Sequence, residues 1–99
     1  MAHDGILPEY KEKIVRLVEA LIPQAQIYLY GSRARGDFQP ISDIDLAVDA
    51  PYTLKPQQIL EVREVLRATL LPYAFDVINV QRASHEFLNE IKHDWIPWI

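Results

Sequence analysis

Hydrophobic positions recur along this chain in patterns that predict three helices. Apolar residues repeat every three or four positions between residues 8 and 22 and between about 56 and 71, the spacing of helices with one buried face. Leu70 is predicted to lie on the buried side of the second helix. Pro23 and Pro72 are predicted to end these helices, because proline cannot continue a helix. A third helix is expected after Ser84, a good N-cap.

Three short runs of strand-forming residues lie between the helices. They span residues 26–30, 43–49 and 75–80 and are rich in β-branched, aromatic and large aliphatic side chains. The run 75–80 is apolar at nearly every position, which predicts a strand covered on both faces. A short helical turn capped by Ser32 is predicted over residues 33–36. The order of elements predicts an α/β (α+β) fold, in which helices pack against a small mixed sheet of three or four strands.

Composition limits the classes of function. Ninety-nine residues, of which 49% are hydrophobic, suit a single domain over residues 1–99 with one modest core. The chain has no cysteine, which excludes disulfides, thiolate zinc sites and cysteine nucleophiles. No apolar run is long enough to span a membrane and no signal sequence is evident, so a cytoplasmic location is expected. The formal charge of −4 makes a nucleic-acid partner unlikely on electrostatic grounds.

Asp43 and Asp45 form a candidate metal site at the start of the second predicted strand. Alternate strand residues point to one face, with Cα atoms roughly 6.5–7 Å apart. Carboxylates at this spacing can hold two cations roughly 3.5–4 Å apart, as in phosphoryl-transfer sites, and oxygen ligands favour Mg²⁺ or Mn²⁺. Two solvated aspartates would be the ordinary alternative. Ile44 and Leu46 argue against it, because they place the opposite face of the strand in the core.

Gly31 and Ser32 form a candidate phosphate-binding turn. Glycine allows a phosphate to approach the backbone, and the start of a helix offers unpaired N–H groups. An ordinary capped turn would have the same sequence, and the segment matches neither a Walker A loop nor a dinucleotide fingerprint. Arg33 could bind phosphate oxygens or hold the turn, and the sequence leaves both open. For Arg35 a structural role is at least as well supported.

Asp76 is the candidate third carboxylate. It interrupts an apolar strand, where an unpaired charge would cost several kcal/mol, roughly, unless a cation neutralised it. A strand-edge aspartate that faces water is the alternative. Asp49 has the same parity as Asp45, but it would lie about 13–14 Å further along the second strand than Asp45. Asp76 is therefore preferred.

The motifs together resemble a known family. Gly31-Ser32, ten intervening residues and Asp43-Ile44-Asp45 resemble the signature of the minimal nucleotidyltransferases (MNT family) of the polymerase-beta-like nucleotidyltransferase superfamily. The resemblance implies that Gly31 and Ser32 bind the triphosphate of ATP, the substrate. It also implies that Asp43 and Asp45 hold two Mg²⁺ ions, with Asp76 completing one of the two sites.

The same resemblance implies a reaction and a partner. Many minimal members act as antitoxins that transfer AMP from ATP to a tyrosine of a HEPN-type toxin, so a hetero-oligomer with a toxin is expected. An alternative is an antitoxin that acts by occlusion, motivated by Trp95 and Trp98 in an apolar tail. The tail could equally fold back on its own core. Transfer to a small molecule or to RNA remains a third possibility on the same core.

Overall fold

A four-stranded mixed sheet organises the chain in the computed structural model, which describes residues 4–99. Residues 1–3 of the predicted domain lie outside this range. The helices are α1 (Pro8–Leu21), α2 (Ser32–Arg35), α3 (Pro56–Arg67) and α4 (His85–Lys92), with a 3₁₀ turn over Val80–Arg82. The strands are β1 (Gln26–Tyr30), β2 (Ile44–Asp49), β3 (Phe75–Asn79) and β4 (Ile96–Pro97). The predicted fold class is confirmed.

The strand order is β3-β2-β1-β4. Strand β1 pairs antiparallel with both β2 and β4, whereas β2 and β3 run parallel. A parallel pair needs a crossover connection, and α3 provides it. The register sets Tyr30 opposite Asp45, and Asp45 opposite Asp76. These three residues therefore form one row across three strands.

One face of the sheet is aliphatic and packs against α1 and α3. Its strand residues alternate with those of the other face, as the period of two in a strand requires. Six of them are fully buried: Ile27, Leu29, Ile44, Leu46, Val48 and Val77. We call this surface the aliphatic face. Helix α1 contributes Ile14 and Val18 to the same cluster, and α3 contributes its apolar stripe.

The opposite face carries tyrosines and is covered by α4. Its residues form a second, smaller cluster, comprising Tyr28, Tyr30, Ala47, Ile78, Val80, Leu88, Ile91 and Trp95. We call this surface the aromatic face. Ser84 caps α4 as predicted, because its side chain accepts a hydrogen bond from the N–H of Phe87. The row that contains Asp45 and Asp76 lies on the aromatic face, by the parity of its strands.

The C-terminal tail packs on its own domain. The N–H of Trp98 donates to the carbonyl of Ile27 at 2.7 Å, and the N–H of Ile27 donates to Ile99 at 3.2 Å. The Trp98 side chain is buried in the aliphatic core, while Trp95 stacks on Tyr28 with ring centroids 3.9 Å apart. Of the two arrangements considered for the tail, the one that folds back on the core is the one observed.

The predicted end of the second helix and the predicted burial of Leu70 were both wrong. Helix α3 ends at Arg67 rather than near residue 71, and Leu70 is 98% exposed instead of buried. The hydroxyl of Thr69 donates to the carbonyl of Leu66 at 2.6 Å, which satisfies an acceptor at the helix end.

Strand β3 is an edge strand and is not covered on both faces. Val77 is its only fully buried residue, and Asp76 is exposed. The guanidinium of Arg63 covers part of the outer edge, because its Nε and Nη2 donate to the carbonyl of Val77 at 3.0 and 2.7 Å. No helix within residues 4–99 is long and apolar enough to cross a membrane.

Candidate active site

The row Tyr30–Asp45–Asp76 forms the centre of the candidate site. Asp45 is central because β2 lies between β1 and β3. Parallel pairing places Asp76 directly beside it. Asp43 comes just before β2, is exposed, and has the parity of Asp45. The three predicted carboxylates therefore share one end of the aromatic face.

Asp45 experiences the charge of this cluster. The pKa of its carboxyl group is raised from 3.8 to about 6, chiefly by burial and then by the negative charges of Asp76 and Asp43. The positive charges of Arg35 and Arg33 oppose that shift only in part. The site thus concentrates more negative charge than its surroundings neutralise.

The reason that the sequence offered for choosing Asp76 was wrong. An unpaired charge inside a covered strand would be costly, but this side chain lies exposed on an edge strand. Its place beside Asp45 comes instead from the strand register. Asp49 lies four residues further along β2 and has a structural task, because its Oδ1 accepts hydrogen bonds from the N–H of Ala50 and the Nε2 of Gln81.

Tyr30 is a site residue that the sequence did not reveal. Its hydroxyl donates to Oδ2 of Asp76 at 3.0 Å, although 46 residues separate the two in the chain. Burial raises the pKa of Tyr30, and the bond to Asp76 adds to the effect. In sequence it looked like an ordinary strand residue before a turn. The one signal in the sequence was the alternation of Tyr28 and Tyr30, which places both side chains on the same face of the strand.

The Gly31 turn forms a wall of the carboxylate cluster. Gly31 has a φ of +76°, in the region that favours glycine, and any Cβ here would collide with Oδ2 of Asp45. Glycine is therefore required twice, for its conformation and for its lack of a side chain. The prediction that Ser32 caps the short helix was wrong, because Gly31 is the N-cap and Ser32 is the first helical residue. The amides of Ala34 and Arg35 both donate to the carbonyl of Gly31 at 3.1 Å, so the amides of Ser32 and Arg33 are the ones in this turn that have no partner within the helix.

Arg33 holds a loop instead of facing a ligand. Only 1% of it is exposed. Its guanidinium donates to the carbonyls of Asp4, Pro40 and Ser42 at 2.9 to 3.3 Å. Its other neighbours are the rings of Phe38 and Tyr73. The expectation that Arg33 binds nucleotide does not fit this geometry, since a buried cation with these partners has a structural role. Arg35 is half-exposed and pairs with Asp37.

Clefts open on both sides of the row. One, of about 360 Å³, lies beside the glycine turn and is lined by Tyr30, Gly31, Arg35, Phe87, Glu90, Ile91 and Asp94. The other, of about 610 Å³, lies along β3 and is lined by Arg63, Arg67, Tyr73, Ala74, Phe75 and Asp76. Two arginines therefore border the exposed carboxylate of Asp76.

The donor chemistry of the carboxylates fits a divalent cation such as Mg²⁺. They offer oxygen ligands only, which are the ligands that Mg²⁺ and Mn²⁺ prefer. Among residues 4–99, no three histidine, cysteine or acidic side chains are already gathered closely enough to hold a metal ion. Asp43 and Asp76 are exposed, and the hydroxyl of Tyr30 donates to one oxygen of Asp76.

Known proteins resemble this chain in both sequence and fold. A family model described as polymerase beta, nucleotidyltransferase matches residues 12–96. A probable protein adenylyltransferase MntA from Haemophilus influenzae is 24% identical over 80 residues, which cover 81% of this chain and 70% of that protein.

Solved structures of toxin–antitoxin complexes have the same fold. One, determined with AMP-PNP, is 29% identical and has a TM-score of 0.77 over 90% of this chain and 72% of its own. Another contains a tri-AMPylated Shewanella oneidensis HEPN toxin with its MNT antitoxin. It is 27% identical with a TM-score of 0.71, covering 90% of this chain and 68% of its own.

Proposed function

Because this chain belongs to the polymerase beta nucleotidyltransferase family, we propose that it transfers AMP from ATP to a tyrosine hydroxyl of a partner HEPN toxin and releases pyrophosphate. The observation that carries the proposal is the row of acidic side chains beside a glycine turn at the open end of the aromatic face. Relatives of similar fold include an adenylyltransferase and an antitoxin complexed with an AMPylated toxin.

In this proposal the Gly31-Ser32 turn binds the triphosphate. The glycine leaves room for a phosphate oxygen near the backbone, and the amides of Ser32 and Arg33 and the Ser32 hydroxyl would be hydrogen-bond donors. A triphosphate bound there would lie near Asp45, because a Cβ at Gly31 would collide with that carboxylate. Such fixed placement converts the transfer into an effectively unimolecular step.

The carboxylates have two tasks. Asp43, Asp45 and Asp76 would hold Mg²⁺, two ions in the usual arrangement or Mn²⁺ in their place. When bound, the metal supplies charge stabilisation for the transferring phosphoryl group and lowers the pKa of the attacking hydroxyl. Asp76 lies on the edge strand β3, so in this proposal it would accept the proton of the incoming tyrosine. The bond from α-phosphorus to the tyrosine oxygen then forms as the bond to pyrophosphate breaks.

The experiment is incubation with α-labelled ATP, Mg²⁺ and the cognate HEPN toxin. We expect label on the toxin, and at least about a hundredfold less with an Asp43→Asn/Asp45→Asn double variant. Asp49→Asn is the matched control, because it changes a carboxylate on the same strand that is engaged in structural hydrogen bonds. Equal labelling by wild type and the double variant would refute the proposal.

The alternative of an antitoxin that acts by occlusion was motivated by the two tail tryptophans, and these pack within the domain. Trp98 is buried within this domain, and Trp95 stacks on Tyr28. Toxin neutralisation by the Asp43→Asn/Asp45→Asn variant at wild-type strength would nevertheless establish occlusion.

A further inference from the structure

We propose that Tyr30 is a positioning residue that holds the carboxylate of Asp76 next to Asp45 in the orientation needed for cation binding. The inference rests on the proposed function, because it assigns a task within the same site. It starts from the hydrogen bond of 3.0 Å between the Tyr30 hydroxyl and Oδ2 of Asp76.

Reaching Asp76 requires a long, polar-ended side chain at position 30. Tyr30 lies on β1 and Asp76 on β3, with β2 between them. Neighbouring strands are about 4.8 Å apart, so the phenol must extend over Asp45 across roughly two strand spacings. An aliphatic residue would fill the same part of the core but would leave Asp76 without this donor. The hydroxyl is therefore the feature that the core packing does not explain.

Asp76 needs an external restraint. Its side chain is exposed on an edge strand, where several rotamers are accessible, and the charge of Asp45 repels it toward solvent. The hydrogen bond fixes Oδ2 and leaves Oδ1 as a ligand. Second-sphere donors of this kind orient metal-binding carboxylates in many proteins.

Tyr30 is itself firmly held. It is 6% exposed, and its ring meets the ring of Phe87 edge-on, with centroids 5.9 Å apart and an interplanar angle of 87°. Phe87 belongs to α4, so the helix that covers the aromatic face also fixes the direction of the hydroxyl. The contact chain Phe87–Tyr30–Asp76 thereby links a packed helix to an otherwise mobile carboxylate.

The test compares Tyr30→Phe with Tyr28→Phe. Tyr28 lies on the same strand and face, and its ring stacks on Trp95, so its variant controls for the loss of a phenol near the site. Mn²⁺ binding in the presence of AMP-PNP is measured by electron paramagnetic resonance, and the Mg²⁺ dependence of AMP transfer is measured in parallel. We expect Tyr30→Phe to weaken Mn²⁺ binding about tenfold or more and to raise the Mg²⁺ requirement correspondingly. Tyr28→Phe should change neither quantity.

Each other outcome overturns a specific claim. Unchanged or tighter Mn²⁺ binding by Tyr30→Phe refutes the positioning role, as does a wild type that binds no Mn²⁺. If wild type binds Mn²⁺ but transfers no AMP, the proposed function fails while the binding comparison still decides the task of Tyr30. Should Tyr30→Phe not fold, Phe87→Leu replaces it, since it loosens the ring and keeps the hydroxyl. A smaller loss of Mn²⁺ affinity is then expected, and no loss would refute the role.

Discussion

The aliphatic and aromatic faces of the sheet come from the same strands, yet they differ in what they pack against. On the aliphatic face the central strand residues are fully buried under α1 and α3, and Phe75 and Ile96 at its margins are partly buried. On the aromatic face α4 covers only part of the surface, and the uncovered end holds Asp45 and Asp76. Adjacent residues such as Asp45 and Leu46 therefore have opposite tasks. The aliphatic face supplies most of the buried apolar surface, and the aromatic face carries the carboxylates to which we assign the proposed chemistry.

The two tail tryptophans should show the largest difference between the faces. Trp98 is buried in the aliphatic core, so Trp98→Ala should lower the free energy of unfolding by about 3–5 kcal/mol. Trp95 is half-buried and stacks on one ring, so Trp95→Ala should cost only about 1–2 kcal/mol. Urea unfolding followed by circular dichroism measures both values. A larger cost at Trp95 would reverse the comparison.

Leu46→Ala should have the next largest effect and should act on stability alone. Leu46 is fully buried at the centre of the aliphatic face, and removing its side chain leaves a cavity that costs about 2–5 kcal/mol. AMP transfer per folded molecule should remain near that of wild type at a temperature where the variant is folded. A selective loss of transfer by a fully folded variant would mean that the two faces are not separable.

Asp45→Asn should raise the free energy of unfolding, whereas the preceding substitutions lower it, and its effect should be smaller. The raised pKa of Asp45 means that, from about pH 4 to 6, the folded protein binds more protons than the unfolded chain. The free energy of unfolding therefore falls as the pH rises through this range, and the loss is complete above about pH 6. Asparagine removes this slope and should raise stability at pH 7 by about 1–2 kcal/mol, in metal-free buffer. AMP transfer should be abolished.

Thermal unfolding at pH 5 and pH 7 with EDTA checks the prediction for Asp45→Asn. Asp94→Asn is the control, because it removes an exposed carboxylate from the tail. If Asp45→Asn is less stable than wild type at pH 7, the carboxylate is not under electrostatic stress in the absence of metal.

Local patterns were sufficient to predict most of the fold. The apolar spacing of residues 8–22 predicted α1 to within one residue, and the run 26–30 predicted β1 without error. These elements depend on periodicity and on proline or glycine at their ends, which are properties of neighbouring residues. Strand order depends on pairing between distant segments, so the position of β3 at the edge could not be predicted.

The candidate site residues also divide into those that local spacing predicts and those that depend on contacts between distant segments. The acidic pair and the Gly31 turn were found because their meaning depends on spacing within fifteen residues. Tyr30 acts on a residue 46 positions away, and only the register reveals that contact. Arg33 lay beside the phosphate-binding turn in sequence, but its partners come from a loop and from the chain before α1. Proximity along the chain was there a poor guide to contact.

The guanidinium of Arg63 has a consequence for self-association. Unpaired carbonyls on an edge strand are where a foreign strand adds itself and begins aggregation. Because Arg63 already donates to the carbonyl of Val77, an intruding strand would have to displace a charged side chain before it could pair with β3. Arg63 therefore protects the β3 edge of the sheet from pairing with another strand, while the acidic row stays accessible on the aromatic face.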